Sequence, residues 1–221
     1  MHWHCDPLVR DAQALSWPEI KATALALTSK MNSDAALLPE ETRLVASMGS
    51  KRLSDFTCGR YSARLAQTLL GLPERPVMQR GREPIWGTGL CGSISHSQQW
   101  ALAGVTTLWR GIGVDVELAD RVVPKLHKSL FLPAELDALA RLPAVAAAVA
   151  FSAKEAGYKA IYPLVGEFIG FHQASIDLDW EKQEFQIRYH GAHPGNNALE
   201  SGRGHWRIAG SHVMTLFLIQ D

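Results

Sequence analysis

Several things that this sequence lacks narrow it first. Only three cysteines, Cys5, Cys58 and Cys91, occur in 221 residues, far apart and without a CxxC pair. That spacing argues against a disulfide framework and against a zinc site, and fits a reducing compartment. No apolar run reaches the roughly 18 residues of a membrane span, and the start Met-His-Trp-His-Cys-Asp-Pro is no signal peptide. These absences predict a soluble cytoplasmic protein. An excess of either charge is missing too: 22 Lys and Arg balance 22 Asp and Glu, so no global field draws the chain to nucleic acid or to a membrane. There is no Gly-rich phosphate loop of the P-loop or Rossmann kind, no G-x-S-x-G elbow, no low-complexity segment and no internal repeat.

The length suffices for one large domain or two small ones with a real core. The charge is unevenly placed within it. Between Lys51 and Arg82 lie seven Lys and Arg (51, 52, 60, 64, 75, 80, 82) against two acids, Asp55 and Glu74. A locally basic stretch in a neutral protein suits a small polyanionic ligand better than a long polymer.

Ser16-Trp17-Pro18-Glu19 reads as a capping box with proline at the first helical position, which predicts a helix to about Ser29. Pro39 starts a second helix, and a Gly49-Ser50 break leads into a third from Lys51 to Leu70, stopped by Gly71. Beyond Gly87 the texture changes. Residues 91–94 and 100–108 read as strands around the polar turn 95–99, and 112–118 as a further strand. Helices follow from Leu132-Pro133 and from Ala144 to about Tyr162. Residues 174–178, 184–189, 206–208 and 213–219 read as antiparallel strands, with a polar loop over 191–204. The class predicted is α+β, with a boundary near 108–111 that gives subdomains 1–110 and 111–221.

Two motifs carry the chemistry. In Gly113-Val114-Asp115-Val116-Glu117, period-two spacing puts both acids on one face of a strand. Such acids either meet a cation or turn to water, since burial without a partner is costly. In Phe151-Ser152-Ala153-Lys154-Glu155-Ala156-Gly157-Tyr158-Lys159, helical spacing makes Glu155 and Lys159 neighbours, where a plain salt bridge is the bland reading. Together the two give three carboxylates and a lysine, the makings of a site for a hard cation and a phosphate. Gly92-Ser93-Ile94-Ser95-His96-Ser97 offers imidazole and hydroxyl groups that suit phosphate oxygens, or ordinary turn chemistry. Arg52, Arg60 and Arg64 form a basic band on the third helix, and Arg82 sits in an exposed turn. His2 and His4 beside Cys5 offer metal ligands, a reading that a flexible terminus disfavours, and His190 and His193, in the polar loop with no matching acid, are assigned no role.

Taken together, these residues resemble the 4′-phosphopantetheinyl transferases of the surfactin and enterobactin type, over about residues 50–160. The family pattern is a G-[IV]-D-[IV]-E strand followed some forty residues later by W-[ST]-x-K-E-[AS]-x-x-K, here residues 113–117 and 151–159. Ser-Ile-Ser-His-Ser matches an S-[IT]-[ST]-H element, Arg82-Glu83-Pro84 stands at a G-[KR]-x-P element, and Lys51-Arg52, Phe56 and Gly59-Arg60 are similar to the enterobactin-type N-terminal helix. Phe151 replaces the usual Trp at what reads as a packing position.

The resemblance implies two similar subdomains with pseudo-twofold symmetry, each a small antiparallel sheet packed with helices, with the active site in the cleft between them. It implies transfer of the phosphopantetheine arm of coenzyme A to a serine of an apo acyl or peptidyl carrier protein, with release of adenosine 3′,5′-bisphosphate, by a monomer. On this view Asp115, Glu117 and Glu155 hold Mg2+, or Mn2+ in its place, and Glu155 removes the serine proton directly or through water. Lys159 stabilises the leaving phosphate with help from Lys154. Arg52, Arg60, Arg82, Ser95 and His96 hold the 3′-phosphate and the adenosine end.

Two other classes share these features. An Mg2+-dependent nuclease or phosphodiesterase also gathers acids and a lysine, but the nuclease pattern places Lys two residues after the strand Glu, where this chain has Ala119. A silent carrier-binding module would have lost site residues, and here all three carboxylates and both lysines are present.

Overall fold

The computed structural model describes residues 1–220 and divides into two compact units, Met1 to Leu108 and Trp109 onward. The first unit contains β1 (His2–Cys5), β2 (Thr23–Ser29), α1 (Pro39–Thr42), α2 (Ser50–Leu69), β3 (Met78–Arg80), β4 (Glu83–Ile85), β5 (Cys91–His96) and β6 (Trp100–Thr106). Four strands form a sheet of order β1-β2-β6-β5, while β3 and β4 make a separate hairpin that turns through Gly81 at φ +61°. α2 can lie against the sheet because Gly59, Ser62, Ala63 and Ala66 share a face at helical spacing. A Cβ at Gly59 would come within 2.8 Å of Ile94 Cγ2, and Ser62 Oγ meets Thr28 Oγ1 at 2.6 Å.

Of the segment expected to be helical as far as Ser29, residues 17–22 are irregular and the rest is strand β2. All seven residues of β2 are buried, and it pairs on both sides, in parallel with β1 and antiparallel with β6. Pairing with strands distant in sequence overrides the helix preference of its Ala and Leu residues. The parallel β1–β2 pair also means that this sheet is mixed, and the terminus taken as flexible is an ordered strand. The Pro39 helix is a single turn. β5 runs on through His96, so the turn begins two residues later than the sequence suggests.

The second unit contains β7 (Gly111–Leu118), α3 (His127–Leu130), α4 (Pro133–Leu139), α5 (Ala146–Val165), β8 (Ala174–Asp179), β9 (Glu184–Tyr189), β10 (Arg203–Ala209) and β11 (His212–Ile219). Its five strands form an antiparallel sheet of order β7-β11-β10-β9-β8. Part of the polar loop is ordered as a 3-10 helix over Pro194–Leu199, with Asn196 and Leu199 buried. α5 packs closely on β7: a Cβ at Gly113 would lie 1.8 Å from the Ala156 carbonyl oxygen, and one at Gly111 2.6 Å from that of Ala160. Ala153, Ala156, Ala160 and Ile161 of α5 are buried in one core with Val213, Phe217 and Ile219 of β11. The architecture is α+β, the four-stranded and the five-stranded sheet each packed with one 20-residue helix. Among the described residues no helix is long and apolar enough to cross a membrane.

Candidate active site

β7 and α5 bring the acidic motifs together in the second unit. Asp115 is 2 % exposed. It accepts hydrogen bonds from Ser152 Oγ at 2.8 Å and from the Lys159 ammonium at 2.7 Å. Ser152 is in turn tied to Thr215 Oγ1 at 2.9 Å, and Thr215 lies directly opposite Asp115 across the β7–β11 pairing. Ser152, Glu155 and Lys159 fall on one face of α5 by their spacing of three and four. The sequence pattern alone leaves Asp115 either meeting a cation or turned to water. Asp115 is a buried junction of β7 and α5, because its charge is met by Lys159 and its hydrogen bonds by Ser152.

The electrostatics follow from that crowding. Burial, and then the neighbouring charge of Asp115, push the Glu117 carboxyl up to about 7, against the pull of Arg121, whose Nε lies 3.5 Å away, and of Lys159. Burial also raises Glu155; Lys159 opposes this shift and Asp115 adds to it. The acids and Lys159 thus share one field. Among the described residues, however, no three acid, His or Cys side chains come close enough to surround an ion. The ready-made three-carboxylate shell is not found: the ammonium of Lys159 supplies the countercharge at Asp115, and acids drawn closer without a cation would repel. The donors are all carboxylate oxygens, which suit a hard divalent cation that takes one or two protein carboxylates and completes its shell with water and substrate phosphate.

Lys154 departs from its expected place. Its buried ammonium donates to the Leu130 carbonyl at 2.9 Å, to Glu135 Oε2 at 2.8 Å and to the Phe171 carbonyl at 2.8 Å. All three donors are used inside the protein, and burial lowers its pKa. Adjacent helical residues point about 100° apart, so Lys154 cannot share the face of Glu155 and Lys159. Phe151, at the position of the family tryptophan, packs against Phe171 with ring centroids 5.6 Å apart.

The basic stretch in the first unit lines an open pocket of about 700 Å³ that includes Lys51, Arg52, Phe56, Arg60, Arg82 and His96. Arg52 and Arg82 are exposed, and Arg82 stands at the tip of the β3–β4 hairpin. Arg60 is only 6 % exposed, donates through Nε to the Val77 carbonyl at 2.6 Å and through Nη2 to that of Met78 at 3.2 Å, and lies 4.2 Å over the Phe56 ring. It builds the wall of the pocket. Burial pulls its pKa down to about 10, which leaves it cationic at neutral pH. Arg64, taken with it as an exposed basic band, is buried on Glu41 and Glu74. Ser95 and His96 alternate on β5: His96 lines the pocket, 3.7 Å from Asp55, whereas Ser95 is buried and does not.

Comparison with known proteins decides what this arrangement is. Residues 40–106 match the family model described as the 4′-phosphopantetheinyl transferase N-terminal domain, and residues 111–216 that of the 4′-phosphopantetheinyl transferase superfamily. The chain belongs to that superfamily. The transferase is 31 % identical to 4′-phosphopantetheinyl transferase PptT of Mycobacterium tuberculosis, over 82 % of this chain and 86 % of the relative. It is 32 % identical to 4′-phosphopantetheinyl transferase Svp of Streptomyces mobaraensis, over 91 % and 87 %. It is also 32 % identical to enterobactin synthase component D of Escherichia coli K12, over 76 % and 78 %. The transferase residues that sequence reasoning missed are those that hold the motifs. Ser152 could have been found three residues before Glu155 on the same helical face. Thr215 had no local signal, since only the β7–β11 register brings it to Asp115.

Proposed function

We propose that this transferase moves the 4′-phosphopantetheine arm of coenzyme A onto a serine hydroxyl of an apo carrier protein. The serine oxygen attacks the phosphorus that bears the pantetheine. A new phosphodiester forms, the pyrophosphate bond breaks, and adenosine 3′,5′-bisphosphate leaves with the electron pair. The observation that carries this reading is the pairing of buried Asp115 on β7 with the partly exposed Lys159 on α5, with Glu117 and Glu155 in the same field.

Asp115, Glu117 and Glu155 would hold Mg2+ or Mn2+. Bound there, the ion neutralises charge on the pyrophosphate. Glu155, its carboxyl raised by burial, takes the serine proton directly or through water as a positioned carboxylate base. Lys159 steadies the leaving phosphate. In the first unit, Arg52, Arg82 and His96 hold the 3′-phosphate and adenosine end, with arginine's fork suited to phosphate oxygens. Arg60 acts by shaping that pocket, and Lys154 and Ser95 are left out of the ligand set. The carrier is an acyl or peptidyl carrier protein, and the enzyme acts on it as a cytoplasmic monomer.

The test is intact-mass spectrometry of an apo acyl carrier protein and an apo peptidyl carrier domain, each incubated with this enzyme, coenzyme A and Mg2+. One added phosphopantetheine, abolished by EDTA, is the expected result. Transfer that survives EDTA would remove the metal from the proposal, and no transfer to either carrier would overturn the carrier assignment.

A further inference from the structure

The chain carries one four-residue pattern twice, too short to register as a repeat: Leu38-Pro39-Glu40-Glu41 and Leu132-Pro133-Ala134-Glu135. The two segments are wired alike. In each, the glutamate accepts the N–H of the leucine, at 3.0 Å for Glu41 and 2.8 Å for Glu135. Its other oxygen accepts a downstream backbone N–H at 2.9 Å, from Val77 in one unit and Ile176 in the other. Each glutamate pairs with a buried cation on the long helix of its unit, Arg64 on α2 at 2.6 Å and Lys154 on α5 at 2.8 Å. Each cation also donates to the carbonyl two residues before the leucine, Ala36 or Leu130. Glu41 is 0 % and Glu135 5 % exposed.

Buried ion pairs of this kind are weak devices for stability, because desolvation cancels much of the attraction and apolar side chains of similar volume often serve as well. What they do supply is a fixed direction. The chain position after Lys154 is Glu155, and Lys159 follows one helical turn later. We propose that Glu135 is a positioning residue for the transferase reaction: through Lys154 it fixes the rotation of α5 about its own axis, so that Glu155 and Lys159 face Asp115. This rests on the roles proposed above for Glu155 and Lys159. Side chains on a helix reach about 5–6 Å from its axis, so a rotation of about 10° moves their tips by about 1 Å. A misplacement of about 1 Å can cost about 100-fold in rate. The twin clasp in the first unit holds α2, where Arg64 lies one turn beyond Arg60 and Lys51, Arg52, Phe56 and Arg60 line the basic pocket. There the same device sets coenzyme A binding.

The experiment compares two double variants, each of which removes both charges at once and so leaves no unpaired buried ion. Melting temperature, kcat and KM for coenzyme A are measured for Glu135→Gln/Lys154→Met and for Glu41→Gln/Arg64→Met. The first is expected to stay folded and to keep KM within about twofold while kcat falls about 30-fold or more. The second is expected to raise KM several-fold with kcat nearly unchanged. Wild-type kcat in a folded first variant would overturn the proposal, as would loss of kcat and KM alike in both variants in step with melting temperature. Should the first variant fail to fold, Glu135→Asp, which keeps the charge but shortens the reach, takes its place: a lowered kcat at unchanged KM supports the clasp, and an unchanged kcat overturns it. Glu155→Ala serves as a separate control. If it turns over normally, the assignment of Glu155 fails; if it is inactive while the clasp variants are normal, only the positioning role fails.

Discussion

At the residue scale, the difference between Asp115 and Arg82 is one of burial. Asp115 is enclosed and paired, so Asp115→Asn removes a charge-assisted hydrogen bond that the surroundings cannot replace. Such a loss costs about 1–3 kcal/mol of stability, and we expect kcat to fall at least about 100-fold because Lys159 and any bound cation lose their anchor. Calorimetry and steady-state kinetics on the same preparation check both, and near-normal turnover would remove Asp115 from the reacting centre. Arg82 is exposed at a hairpin tip. Arg82→Ala should therefore leave melting temperature and kcat alone and raise KM for coenzyme A about tenfold, the loss of one good phosphate contact worth about 1.4 kcal/mol. An unchanged KM would exclude Arg82 from the site. Arg60→Ala is expected to destabilise instead, since Arg60 satisfies two backbone carbonyls and covers Phe56.

At the scale of elements, the features with a local signal are legible in the sequence. The third helix, the Leu132-Pro133 helix and the alanine-rich helix showed in capping residues and periodicity, and the Asp115 strand showed in its alternation. β2 reads as helix because Ser16-Trp17-Pro18-Glu19 imitates a capping box, and only pairing with β1 and β6 makes it a strand. Ser152, Glu155 and Lys159 are legible as a helical face, but Thr215, which meets Ser152, lies 63 residues away. Lys154 shows the same limit: a lysine within an active-site motif looks catalytic until its neighbours are seen. The glycines of β7 have an element-scale cause too. α5 lies so close that a methyl group at Gly113 would meet the Ala156 backbone oxygen, and backbone cannot step aside as a flexible side chain can. Gly113→Ala should destabilise by about 3 kcal/mol or more, which for a chain of this size lowers the melting temperature by roughly 10 °C. Activity should fall with it, because α5 carries Glu155 and Lys159. A thermal melt matching wild type would show that the close packing is not needed.

At the scale of the whole molecule, neutrality conceals a division. The first unit has eleven Lys and Arg against nine Asp and Glu, a net charge of +2, and the second has eleven against thirteen, a net charge of −2. The positive unit holds the open pocket lined by Lys51, Arg52 and Arg82, and the negative unit holds Asp115, Glu117 and Glu155. The two sites differ in their access to salt. Lys51, Arg52 and Arg82 are exposed, so their attraction for a phosphate is screened as the Debye length falls from about 10 Å at 0.1 M salt to about 3 Å at 1 M. The Asp115–Lys159 pair is sheltered, with Asp115 nearly inaccessible, and buried pairs are screened much less. Raising KCl from about 50 to about 500 mM should therefore increase KM for coenzyme A several-fold while changing kcat less than about twofold. The increase should shrink in Arg82→Ala, which has already lost one of the screened contacts. A KM that ignores salt in the wild-type enzyme would mean that the exposed arginines do not hold the coenzyme. A kcat that falls with salt as steeply as KM rises would mean that the reacting centre is far more open to solvent than the burial of Asp115 implies.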